Sequence, residues 1–159
     1  MSAGVEWAVH SCLNLAWAEP DEAKTAVALA AFYDLPAAYL NKQLQALARA
    51  GILTSTPGPR GGFRLARDPS AITVLDIVTA IEGAEEAFQC TSILRNGPSG
   101  RANADYPRRC AISQAMRRAD LAWRHELAGT TLDDLRQVVE RQDSRVPNRT
   151  REWFTHQRR

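Results

Sequence analysis

From Ala3 to Ala18 the apolar residues Val5, Ala8, Val9, Cys12, Leu13 and Ala16 recur at helical spacing. Pro20 closes that segment. A second helix is predicted from Lys24 to Tyr33, with Val27, Ala28, Ala31 and Phe32 apolar. Asp34-Leu35-Pro36 breaks it, because the residue before a proline is pushed out of the helical region. Proline suits a first turn, so a third helix is predicted from Pro36 to Ala50 around Leu40, Leu44 and Leu47, with Gly51 as its cap. The period then changes. Ile52–Thr56 and Phe63–Leu65 read as strands flanking the irregular run Pro57–Gly62. Thr73 is a predicted N-cap, with Asp76 at the third position of a helix from Val74 to Ile81, and Gly83 ends it. Glu85 to Arg109 holds Gly97, Pro98, Gly100 and Pro107 and reads as a long loop. From Ala111 to Leu127 a helix resumes, with Ile112, Ala115, Met116, Ala119 and Trp123 on one face. Thr131 caps a last predicted helix through Val139, and residues 141–159 are expected to form a basic flexible tail.

Three helices, a strand, a glycine-rich turn and a returning strand make up the order of a winged helix-turn-helix. The expected fold class is therefore mainly α with a small β wing, followed by a long C-terminal helix. The expected organisation is a winged helix-turn-helix over 1–83, a loop over 84–110, a helical region over 111–140 and the tail. Long loops of this kind are usually functional or disordered.

The formal net charge is only +2, but its distribution matters more. No Asp or Glu occurs from Leu35 to Arg67, whereas Lys42, Arg49, Arg60, Arg64 and Arg67 do. Such a basic stretch can neutralise phosphates and release counterions. On the third helix, Tyr39, Asn41, Lys42, Gln43 and Gln45 are expected to be exposed. Asn and Gln suit adenine edges, and Lys suits guanine or phosphate. Arg60, Gly61, Gly62 and Arg64 complete the candidate double-stranded DNA contacts. The glycines would permit close backbone approach, and Arg60 would enter a narrow minor groove.

No phosphate-binding glycine loop, HExxH pair or nucleophile elbow occurs, so no catalytic residues are expected. No apolar run is long enough for a membrane span, and a cytoplasmic protein is expected. The three cysteines, Cys12, Cys90 and Cys110, do not form a secreted disulfide pattern. Cys12 falls on an apolar helix face and reads as core. Cys90 and Cys110 bracket the loop. Glu6 and His10 lie one helical turn apart and so share a face.

The runs Tyr39-Leu40-Asn41-Lys42-Gln43-Leu44-Gln45-Ala46-Leu47, Ala50-Gly51, Pro59–Leu65, Ile72–Val78 and Ile81-Glu82-Gly83 resemble the Rrf2 family of bacterial transcription regulators. That resemblance spans roughly residues 3–139. It implies a homodimer in which the helix from Ala111 to Leu127 crosses its partner, and a near-palindromic operator whose half-sites lie about one DNA turn apart. Many members hold an iron–sulfur cluster through three closely spaced cysteines, which this chain lacks. Its wide cysteine pair and first helix are instead similar to a redox-sensing member of the family. There, two cysteines of one subunit and a glutamate and histidine of the other hold a 2Fe–2S cluster. The implied ligands are Cys90, Cys110, Glu6 and His10, with Trp7 as the implied switch. The expected function is a regulator, repressing by default, that senses redox, iron–sulfur or nitric-oxide status. The alternative is a cluster-free regulator answering a small molecule or cysteine oxidation.

Overall fold

The computed structural model describes residues 1–19, 22–58, 61–98, 100–101 and 105–156. In chain order the elements are α1 (Ala3–Trp17), α2 (Ala26–Phe32), α3 (Ala37–Arg49), β1 (Leu53–Thr56), β2 (Gly62–Leu65), α4 (Val74–Glu82), α5 (Tyr106–Arg109), α6 (Ala111–Gly129), α7 (Leu132–Gln142) and α8 (Val146–His156). Short 3-10 turns occur at Pro69–Ala71 and Ile93–Asn96. The chain divides into two compact units: Met1–Gly83 together with the segment from Ala128 onward, and Ala84–Leu127.

In the first unit α1 is central, packing on α3, α4, α7, α8 and β2. That explains why Ser11 to Leu15 are buried all round the helix rather than on one stripe. Thr25 starts α2, its hydroxyl accepting the Ala28 N–H at 3.1 Å. Asp34 then takes a left-handed φ of 53°, and the Leu35 N–H donates back to the Ala30 carbonyl at 2.9 Å. These turn the chain into α3. Leu40, Leu44 and Leu47 are fully buried, each contributing roughly 1.5–3 kcal/mol.

β1 and β2 pair antiparallel, Leu53 opposite Leu65 and Thr56 opposite Gly62. Lys24 extends this pairing with reciprocal backbone bonds to Phe63 of 3.0 and 2.8 Å. Thr73–Asp76 and Thr131–Asp134 both form complete capping boxes, starting α4 and α7. The two starts are stitched together: the Leu132 N–H donates to Ile72 at 2.8 Å and the Val74 N–H to Thr130 at 2.9 Å.

The expected tail is a correction, since residues 146–156 form α8 with Thr150 and Phe154 buried. Phe154 stacks on Phe32 at 5.5 Å, and Trp153 meets the same ring edge-on at 4.9 Å. Arg151 donates to the Trp17 carbonyl at 3.2 Å, and the Trp17 indole donates to Glu140 at 2.8 Å. Two aromatic anchors outweigh a polar average composition. Segment 128–156 thus returns to the winged-helix unit instead of dividing near residue 140. Arg158 and Arg159 of the expected tail lie outside the described residues.

In the second unit the expected loop carries a 3-10 turn and the short α5. Asp120 accepts from Arg124 at 2.8 Å, and that guanidinium also donates to the Ala84 and Glu85 carbonyls at 3.2 and 2.6 Å. The Gln114 amide donates to the Arg108 carbonyl at 2.8 Å. Among the described residues of 84–127 only Ser113 is buried. Ile112 and Met116 of α6 are 66% and 43% exposed, and Leu121, Ile93 and Leu94 are exposed as well.

Candidate nucleic-acid interface and metal-ligand residues

α3 presents Tyr39, Asn41, Lys42 and Gln45 to solvent on the side opposite its leucines. Gln43 does not join them. It is 8% exposed and lies at the near end of α1, where a methyl group on Gly4 would come within 3.1 Å of its amide nitrogen. This corrects its assignment as a base-reading side chain. Its spacing from Leu40 and Leu47, three and four residues, already puts it on the inner stripe.

The wing shows a second correction. Gly61 is buried, and a Cβ there would come within 2.1 Å of the Thr56 carbonyl oxygen. At Gly62, with φ of 140°, a Cβ would meet the Lys24 carbonyl at 2.5 Å. The close approach that these glycines allow is to the protein's own backbone. Arg64 on β2 is half-buried. Arg60 lies outside the described residues. Arg67 is engaged within the fold, donating to the Ala71 carbonyl at 3.0 Å and facing Asp76 at 3.5 Å. Among the described residues, the exposed basic groups of the acid-free stretch on α3 are Lys42 and, at its C-terminal end, Arg49.

On α1, Glu6 and His10 are both exposed and one turn apart. Between them Trp7 packs edge-on against Tyr39 of α3, with ring centroids 5.2 Å apart and planes at 77°. This contact joins the candidate ligand face to the candidate DNA-reading helix. No sequence period announces it, because the two residues lie far apart in the chain. His10 stands 5.4 Å from the Tyr33 ring, and the Tyr33 hydroxyl donates to Asn14 Oδ1 at 3.2 Å. Burial holds the Tyr33 phenol above its ordinary pKa.

The three thiols are unpaired. Cys12 is fully buried, and desolvation pushes its pKa up to about 12. A thiol so held is a poor thiolate ligand and a poor nucleophile, which agrees with its reading as core. Cys90 and Cys110 are half-buried and belong to the second unit, whereas Glu6 and His10 belong to the first. Among the described residues, no three His, Cys, Asp or Glu side chains of one chain gather as a metal-binding group. The donor types nonetheless fit an iron–sulfur centre: two accessible thiols, plus a carboxylate and an imidazole turned outward from α1. Thiolates are ordinary ligands, and histidine replaces cysteine in one known centre.

The Rrf2 family model, described as an iron-dependent transcriptional regulator, matches residues 1–137. The chain belongs to the Rrf2 family. Rrf2 proteins are DNA-binding transcriptional regulators, not enzymes. The chain is 35% identical over 119 residues to the HTH-type transcriptional regulator YffB of Lactococcus lactis, covering 73% of each protein. Its fold is similar to that of IscR of T. potens, with a TM-score of 0.66, 22% identity and 90% of each chain covered. It is likewise similar to CymR, the global cysteine regulator of B. subtilis, with a TM-score of 0.65 and 23% identity over 87% of this chain and 96% of that one. These Rrf2 likenesses bear out the expected winged-helix architecture, mainly helical with a two-stranded antiparallel wing. Among the described residues no helix is long and apolar enough to cross a membrane.

Proposed function

We propose that this Rrf2 protein is a cytoplasmic homodimeric repressor. It senses redox, iron–sulfur or nitric-oxide status through a 2Fe–2S cluster. Cys90 and Cys110 of one subunit and Glu6 and His10 of the other would hold it. The cluster would supply a centre whose charge changes on electron transfer or whose loss removes a crosslink between subunits.

The observation that carries the reading is the Trp7–Tyr39 contact. Trp7 sits between the two α1 ligands, and its ring abuts a residue of the DNA-reading helix at 5.2 Å. A change at Glu6 and His10 thereby bears on the orientation of α3. A ligand shifts an equilibrium only by its differential affinity for the two states, so the contact must differ between them. Tyr39, Asn41 and Lys42 would contact the operator, with Arg60 and Arg64 adding charge from the wing.

The exposed residues Ile112 and Met116 of α6 support the dimer. They share a helix face with Ala119 and Trp123, and burying that face against a second copy removes it from water. Two recognition helices then demand a near-palindromic operator, with half-sites about one turn apart.

Anaerobic purification, a visible spectrum and iron and sulfide assays test the cluster. The expected result is a coloured protein with equal iron and acid-labile sulfide. Cys90→Ala or Cys110→Ala should be colourless, and Glu6→Ala and His10→Ala should change the spectrum. Operator DNA selected from a random pool should bind apo, oxidised and reduced forms with different affinity at fixed salt. A colourless, iron-free protein that binds DNA sinks the cluster and leaves the reading in which thiol oxidation or a small molecule is the signal.

A further inference from the structure

Four residues of α6, Ser113, Arg117, Asp120 and Arg124, recur at spacings of four, three and four and so form one stripe along the helix. The start of the loop is tied along that stripe. Arg124 donates through Nε to Asp120 at 2.8 Å and through Nη2 to the Ala84 and Glu85 carbonyls at 3.2 and 2.6 Å. The Ala87 N–H donates to Asp120 at 3.4 Å, and Glu86 faces Arg117 at 3.5 Å. As the loop advances from Ala84 to Ala87, its partners on α6 recede from Arg124 to Asp120 and Arg117. The loop therefore runs antiparallel to α6, back toward the start of that helix.

That start is Cys110. Its carbonyl accepts the Gln114 N–H at 3.0 Å, the first bond of α6. Past Ala87, Phe88, Cys90 and Ser92 are half-buried while Gln89 and Thr91 are exposed, the alternation of an extended segment with one covered side. Cys90 is three residues beyond Ala87, which is at most about 10 Å of chain. Cys110 is ten residues before Asp120, about 15 Å along the helix. The same stripe is withdrawn from water at Ser113, three residues after Cys110. Two thiols far apart in the chain are thus led to one end of one helix.

The tie is well sheltered. The Asp120 and Arg124 side chains are 7% and 23% exposed, so water competes little for their bonds. A planar guanidinium can serve a carboxylate and two carbonyls at once, whereas a lysine ammonium is a single point.

We infer that Arg124, locked by Asp120, is a positioning residue that delivers Cys90 to Cys110. Its bonds go to a carboxylate and two carbonyls, so it acts on the thiols through the backbone of Ala84–Ala87. What it assembles is a two-thiol site suited to a soft metal or an iron–sulfur centre. That the occupant is a 2Fe–2S cluster rests on the function proposed above, whereas the convergence of the thiols does not.

The test uses the full chain, reduced and iron-free, with dibromobimane, which fluoresces only when both its arms have reacted with thiols. The parent should form a crosslink within one chain, and peptide mass spectrometry should find Cys90 joined to Cys110. Arg124→Gln should slow that crosslink about tenfold or more, while iodoacetamide labels each of the two thiols no more slowly than in the parent. Arg124→Lys should recover part of the rate, and Asp120→Asn should lose less than Arg124→Gln. Cys12 is fully buried and should stay unlabelled throughout, which reports an intact fold. If Cys12 becomes reactive in Arg124→Gln, Asp120→Asn decides, and parental crosslinking in that variant overturns the proposal. An intact Arg124→Gln protein that crosslinks at the parental rate also overturns it, as does a parent that forms no Cys90–Cys110 crosslink within one chain. A parent that crosslinks as expected but takes up no iron and sulfide removes the cluster and leaves the positioning role standing.

Discussion

The winged-helix unit and the segment Ala84–Leu127 treat their apolar residues in opposite ways. In the first, Leu29, Leu40, Leu44, Leu47, Ile77 and Leu132 are fully buried, and α3, α4, α7, α8 and β2 close over α1. In the second, Ile112, Met116, Leu121, Ile93 and Leu94 face solvent and polar bonds do the holding. A helix of 19 residues with an apolar stripe and one buried side chain is not a finished core. Hydrophobic burial is the dominant favourable term in folding and in most association. The first unit meets that need within one chain. The second would meet it by taking a partner, which is the physical content of the proposed dimer.

The sharpest break between the two should appear in truncations. Leu44→Ala should lower stability by about 2–5 kcal/mol, read from urea unfolding followed by circular dichroism. A loss under about 1 kcal/mol would mean the core is looser than its burial implies. Ile112→Asp should leave the fold of each chain intact but weaken self-association about 100-fold or more, measured by sedimentation velocity. A dimer of unchanged affinity would remove α6 from the interface.

Smaller effects separate the units by their caps. Thr73→Ala removes the hydroxyl that accepts the Asp76 N–H at 3.0 Å and should cost about 1 kcal/mol of global stability. Asp120→Asn should instead loosen only the bonds from Arg124 and the Ala87 N–H, seen as faster amide exchange around Ala84–Ala87 with little change in the urea midpoint.

The least effect is the acid response. Bonds from the Thr131 hydroxyl and backbone N–H hold the Asp134 carboxyl below the usual carboxylate range, with Arg141 adding attraction. Its folded-state pKa is depressed, so its contribution is present above the ordinary carboxylate pKa and is lost as pH falls through the folded value. Asp134→Asn should therefore lower stability slightly at neutral pH and flatten its decline at acid pH. A variant that loses stability as steeply as the parent would place the acid response elsewhere.

Much of the winged helix was legible because its signals are local. Leu40, Leu44 and Leu47 mark a period, Pro36 and Gly51 mark ends, and Thr73 with Asp76 is a complete cap written in four residues. The candidate site was legible in part. Tyr39, Asn41 and Lys42 are exposed as expected, while Gln43 is buried because α1 crosses α3 at Gly4. The wing glycines were expected to permit close backbone approach to DNA and instead make room for the backbone at Thr56 and Lys24, a steric demand that no local pattern states. α8 was hidden because its core-facing residues Val146, Trp153 and Phe154 stand in a basic run, with a polar Thr150 at the position that would complete the stripe.

The amino-acid sequence by itself determined the element order of the winged helix, the acid-free stretch and the residue types able to bind iron, since each depends on neighbours within a few positions. The tertiary structure alone decided that Trp7 abuts Tyr39 and that α8 returns to cover α1. Those outcomes depend on which distant surfaces meet when apolar area is withdrawn from water. That force is non-directional, so it names no partner until the chain has closed on itself.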